Sequence, residues 1–104
     1  MSGLFRHETL DVYRLALEVA RWVRKARFPR GDAELRKQLK RAADSVVLNL
    51  AEGLSYTEGS RRSHLDIAKA SAAEASAALD LCGLEGSDLQ QAKLRRVKQM
   101  LRRL

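Results

Sequence analysis

Apolar residues recur three and four positions apart along almost the whole chain, the spacing of one face of an α-helix. Val12, Ala16, Val19, Val23 and Ala26 form one stripe, widened by Tyr13, Leu17 and Ala20. They predict a first helix over 10–27, capped by Thr9. Leu15 and Trp22, seven apart, fall on a second face, and a helix with two apolar faces needs two partners. Phe28-Pro29 stops this helix, because the residue before proline avoids the α region. Leu35, Leu39, Ala42, Ala43, Val46, Leu50 and Leu54 predict a second helix over 33–54, capped by Asp32. Thr57 to Ser60 reads as a polar turn, with Ser60 capping a third helix over 61–82. That helix carries seven alanines between Ala68 and Ala78, small enough for close helix packing. Ser87 to Gln90 fits a capping box, serine at the cap and glutamine three later. Leu94, Val97, Leu101 and Leu104 then mark a fourth helix over 88–103. No stretch alternates as a strand would. Four helices with short connections imply an all-α chain, one domain over 1–104, folded as an antiparallel up-down-up-down four-helix bundle.

Aromatic residues make up only 5% of the chain, which suits helices better than a β-sandwich. No apolar run approaches the ~18 residues that cross a membrane. The N-terminal residues lack the apolar core of a signal peptide, so the expected location is the cytoplasm. A single cysteine, Cys82, excludes an internal disulfide and a cysteine-based zinc site. With only His7 and His64 beside it, no metal is expected. No Gly-Lys-Ser/Thr loop cradles a phosphate, and no cofactor is expected. Arg61-Arg62-Ser63-His64 is too tightly spaced for the arginine and histidine of a helical-bundle ribonuclease, and the chain reads as non-enzymatic.

One polar line on the second helix stands out. Gln38, Ala42, Ser45, Asn49 and Glu52 run at four-three spacing beside the apolar stripe. Ile67, Ser71, Glu74, Ala78 and Leu81 repeat the arrangement on the third. A polar group buried between helices must be hydrogen-bonded and a buried charge paired. Arg41, one turn before Ser45, is the expected partner of a buried Glu74. Arg41, Ser45, Asn49, Glu52, Ser71 and Glu74 therefore read as a structural polar network that sets helix register. The competing reading makes Glu52 and Glu74 an acid/base pair or metal carboxylates. Di-metal bundles supply a histidine three residues after such a glutamate, and here those positions hold Ser55 and Ala77.

Charge changes the picture more. Twenty Lys and Arg against 13 Asp and Glu give +7, which bears on partners and not on fold. The fourth helix carries Lys93, Arg95, Arg96, Lys98, Arg102 and Arg103. The first ends in Arg21, Arg24, Lys25 and Arg27, followed by Arg30, and the second opens with Arg36, Lys37, Lys40 and Arg41. Such residues also offset helix dipoles. Of them, Arg24, Lys25, Arg27, Lys37, Lys40, Lys93, Arg95, Arg96, Lys98, Arg102 and Arg103 are candidate contacts to RNA or DNA. Without an RNA-recognition, KH or zinc-finger signature, they would read phosphate backbone and shape. The second face of the first helix and the small core of one chain add an expectation of self-association.

The segment from Gln38 through Arg41, Ala42, Ser45, Val46, Asn49, Leu50, Ala51 and Glu52 to Gly53 resembles the signature of the 23S rRNA intervening-sequence protein family. Phe5, Leu10 to Tyr13 and Ala16 resemble its opening, Phe28-Pro29 its Phe-Pro pair, and Ile67 to Ser71 with Glu74 its third-helix motif. The chain departs where Ala70 stands for a frequent glycine, near Tyr56 for an arginine, and where Arg61 to Leu65 replace an aromatic-rich stretch. The resemblance implies a four-helix bundle in a homopentameric ring. It also implies kinship in fold with accessory proteins of diversity-generating retroelements, which bind nucleic acid and a reverse transcriptase. Carried over, the motif positions are Arg41, Ser45, Asn49, Glu52, Ser71 and Glu74. The expected function is a non-enzymatic oligomeric accessory protein on nucleic acid. The alternative is an adaptor oligomer that recruits a protein, such as a reverse transcriptase, without touching nucleic acid itself.

Overall fold

The computed structural model describes residues 6–29, 31–55 and 58–103, with side chains from Leu10 onward except that of Glu58. Phe5, Arg30, Tyr56, Thr57 and Leu104 lie outside the described residues. Among those described there are four helices and no strand: α1 (Arg6–Lys25), α2 (Ala33–Ser55), α3 (Glu58–Cys82) and α4 (Ser87–Leu101).

The apolar stripes became the core. Val12, Ala16, Val19 and Val23 of α1 are buried with Leu39, Ala42, Ala43, Val46 and Leu50 of α2. Leu65, Ala68, Ala72, Ala75 and Leu79 of α3 join them, with Leu94, Val97, Met100 and Leu101 of α4. Helix α1 packs on α2 and α4, and α3 packs on the same two, so each helix has two neighbours around one four-helix core. The α2–α3 contact is the most extensive, because the alanines of α3 let the axes approach. Gly53 contributes too: a methyl there would stand 3.0 Å from Leu65 Cδ2 and 3.2 Å from His64 Cβ.

The helix ends depart from expectation for identifiable reasons. Helix α1 starts at Arg6, so Thr9 sits within it and does not cap it. It ends at Lys25, ahead of Phe28-Pro29, where the Ala26 N–H turns back to the Val23 carbonyl at 3.3 Å and tightens the last turn. Asp32 does stand at the entry to α2: its carbonyl accepts the first helical bond, from the Arg36 N–H at 2.8 Å. Helix α3 begins at Glu58, which puts Ser60 inside the first turn. The capping box of α4 is not formed. Gly86 holds the cap position with a φ of 84°, a left-handed conformation that favours glycine, and Ser87 becomes the first helical residue. Gln90 is then buried, its Oε1 without a partner.

Leu15 and Trp22 also require correction. Both are half-buried and packed against the core of their own chain, and Gly86 lies against the Trp22 ring. The second face of α1 is covered from within, so it does not call for another copy.

Candidate functional site

Across the α2–α3 contact runs a continuous chain of hydrogen bonds. The hydroxyls of Ser45 and Ser71 meet at 2.7 Å. Asn49, one turn beyond Ser45, donates its Nδ2 to the Ser45 carbonyl at 2.9 Å and to Ser45 Oγ at 3.1 Å. With the amide nitrogen so engaged, Asn49 Oδ1 faces His64 and accepts from its Nδ1 at 3.1 Å. The other ring nitrogen, Nε2, stands 3.2 Å from a Glu52 carboxylate oxygen. A ring protonated at both nitrogens donates to both acceptors.

Of the six residues expected to form the polar network, Ser45, Asn49, Glu52 and Ser71 are thus linked, and His64 joins Asn49 to Glu52. Arg41 and Glu74 are not part of it. Both are exposed, and neither pairs with the other or with any described residue, which overturns the expectation of a buried Glu74. Three residues of helix rotate a side chain by about 300°, so Glu74 lies some 60° away from Ser71, on the solvent side. The unforeseen member is His64. Its signal was present: it precedes Ser71 by seven residues and so shares its face of α3.

Both nitrogens of His64 face protein acceptors, and Glu52 and Glu74 do not converge. Among the described residues no three His, Cys, Asp or Glu side chains gather as metal ligands. Cys82 is half-buried at the end of α3, where burial, and secondarily the Asp32 carboxylate, push its thiol above the ordinary cysteine value. Such a thiol carries less thiolate than an ordinary cysteine.

The basic candidates divide by what they touch. Arg24 pairs with Asp44 at 2.8 Å, and Lys93 with Glu18 at 3.2 Å. Lys25, Arg27, Lys37 and Lys40 are exposed without an ion pair to any described residue. Lys37 and Lys40 line a groove at the α1–α2 turn together with Phe28, Asp32 and Arg36, whose guanidinium lies 5.5 Å above the Phe28 ring. Arg95, Arg96, Arg102 and Arg103 are exposed, and Lys98 is half-buried.

A family model described as 23S rRNA-intervening sequence protein matches residues 8–104. The chain belongs to that family. No curated protein and no solved structure matches it. The matched span takes in all four helices, so membership in the 23S rRNA-intervening sequence protein family rests on the whole bundle and not on one segment. Among the described residues no helix is long and apolar enough to cross a membrane.

Proposed function

We propose that this protein is a non-enzymatic, self-associating accessory factor that binds the backbone of nucleic acid. The observation that carries the reading is the cluster at the α1–α2 turn. Lys37 and Lys40 line one groove there, and Lys25 and Arg27 line another beside Trp22 and Glu85; all four keep their charges unpaired among the described residues, in a chain of net charge +7. Unpaired lysines and arginines that neutralise phosphates release counterions, the main source of affinity without sequence preference.

In this reading the bundle is antiparallel. Residue 45 meets 71 and residue 49 meets 64, so α2 ascends as α3 descends. Gly86 against Trp22 and Lys93 against Glu18 support the same relation for α4 and α1. The assembly is a homo-oligomer, a ring of five being the form the family resemblance implies. A cytoplasmic location fits a partner of this kind.

Fluorescence anisotropy with a labelled single-stranded RNA and a duplex DNA of mixed sequence tests the reading. Binding is expected at low salt and should disappear as salt rises, with Lys37→Gln/Lys40→Gln weakening both probes alike. Absence of binding to either probe at about 50 mM salt, where the counterion contribution is strong, overturns it and leaves the adaptor role.

A further inference from the structure

The groove that Lys37 and Lys40 line holds a stacked pair as well as charge. Phe28, between α1 and α2, is half-buried and packed against the core, so its ring is held from within. The Arg36 guanidinium lies over that ring, 5.5 Å from its centroid. Arg36 is exposed and makes no ion pair with any described residue, so the side of its guanidinium turned away from the ring faces water. At about 100° per residue, Arg36, Lys37 and Lys40 fall within one sector of α2, with Lys40 one turn beyond Arg36. Both lysines therefore stand on the same wall as the stacked pair. Asp32 is the one carboxylate among the lining residues, half-buried and near enough to Cys82 at the end of α3 to push that thiol up. The lining thus sets three cations against one anion. The groove is open beside the pair: a methyl added at Gly31 would meet nothing within 4 Å. Its volume is about 480 Å³, inside the roughly 300–1,000 Å³ of sites that hold small organic molecules.

We infer that this groove takes one unpaired base of a single-stranded RNA or DNA, stacked on the Arg36 guanidinium, with Lys37 and Lys40 on the flanking phosphates. Nucleobases stack on guanidinium planes as they do on aromatic rings. Such stacking tolerates every base, because each has a π-face. A base inside a duplex has both faces covered by its neighbours, so the platform selects unpaired strands. Phe28 holds the arginine in place before the base arrives, which lowers the cost of ordering a long side chain on binding. The type of residue matters: a lysine at position 36 would keep the charge and lose the planar surface. Among the described residues no second cation lies over an aromatic ring. That separates this groove from the one beside Trp22, where Lys25 and Arg27 offer charge alone. The inference rests on the nucleic-acid binding of the proposed function and names the form of nucleic acid and the side chain that selects it.

Fluorescence anisotropy at about 50 mM salt tests this with three labelled probes of equal length. They are a single DNA strand of mixed sequence, the same sugar-phosphate strand with every base replaced by an abasic site, and a duplex. The wild type is expected to bind the base-bearing strand at least about fivefold more tightly than the abasic strand. Arg36→Lys should remove that preference and leave affinity for the abasic strand and the duplex close to wild type. Phe28→Leu, which keeps an apolar side chain against the core, should reduce the preference as well, with circular dichroism checking that both variants fold. Lys37→Gln/Lys40→Gln should weaken all three probes alike. A wild type that binds the strand and its abasic counterpart equally overturns the stacked base while backbone binding stands. A preference that survives Arg36→Lys overturns Arg36 as the platform. Absence of binding to all three probes overturns this inference together with the proposed function.

Discussion

Asn49 is the pivot of the interhelical polar chain, because its two amide ends face different helices. Its nitrogen serves Ser45 on α2 and its oxygen serves His64 on α3. Removing it takes one hydrogen bond from the Ser45 hydroxyl, which keeps its bond to Ser71, and one from the His64 ring, and a hydrogen bond of this kind contributes about 0.5–1.5 kcal/mol net. Asn49→Ala is therefore expected to destabilise by about 1–3 kcal/mol, a fall of several degrees in Tm. The sharper expectation concerns coupling. In a double-mutant cycle of Asn49→Ala and His64→Ala, the two destabilisations should be less than additive by at least about 0.5 kcal/mol, the signature of residues in one network. Additive effects in thermal melts would show that the hydrogen bond between them contributes nothing. Most of this chain was legible in the sequence, since Ser45, Asn49, Glu52 and Ser71 stand at helical spacing. Arg41 and Glu74 were misassigned because three-four spacing defines a stripe wide enough to cross from a buried edge to solvent. His64 was missed because its partners lie on another helix, 15 and 12 residues earlier in the chain.

At the scale of the helix, the stripes of α1, α2 and α4 were readable because burial selects apolar residues at a fixed period. The ends were not, because they depend on what packs against them. Gly86 takes the cap of α4 in a left-handed conformation, with the Trp22 ring beside it, and this displaces a serine that local sequence alone would favour. Two glycines inside helices make the distinction measurable. Glycine in a helix costs roughly 0.5–1 kcal/mol relative to alanine. At Gly59, near the start of α3, an added methyl meets nothing within 4 Å, so Gly59→Ala should be neutral or raise stability by up to about 1 kcal/mol. At Gly53 the same methyl presses on Leu65 and on His64 Cβ, which is fixed to the α3 backbone. Overpacking of about 1–3 kcal/mol outweighs the propensity gain there, and Gly53→Ala should lower stability. Denaturation midpoints that move the same way for both variants would refute a close α2–α3 approach at Gly53.

Across the whole molecule, two groups of exposed basic residues stand apart along the bundle. Gly86 lies against Trp22 and Lys93 pairs with Glu18, so α4 leads away from the α1–α2 turn as it advances. Arg102 is nine residues beyond Lys93, about 14 Å further at ~1.5 Å per residue. The bundle measures 47 Å along its longest dimension, several times the ~8–10 Å over which exposed charges act at ordinary salt. The group at the turn (Lys25, Arg27, Lys37 and Lys40) and the group on α4 (Arg95, Arg96, Arg102 and Arg103) should therefore engage phosphates independently. Each phosphate neutralised contributes about 0.7–0.9 to the slope of log K against log salt. Replacing the turn group with glutamine should lower that slope by roughly 0.7–0.9 for every phosphate the group neutralises in the wild type. The α4 group should subtract its own share, and the two reductions should add, as expected of sites more than about 10 Å apart. None of these eight residues is buried, so helicity and melting should change little. Titrations of the wild type and the three variant sets between about 50 and 200 mM salt decide the matter. A slope that collapses fully on removal of either group alone would mean one shared footprint, and the division of the charge along the bundle would have no bearing on binding.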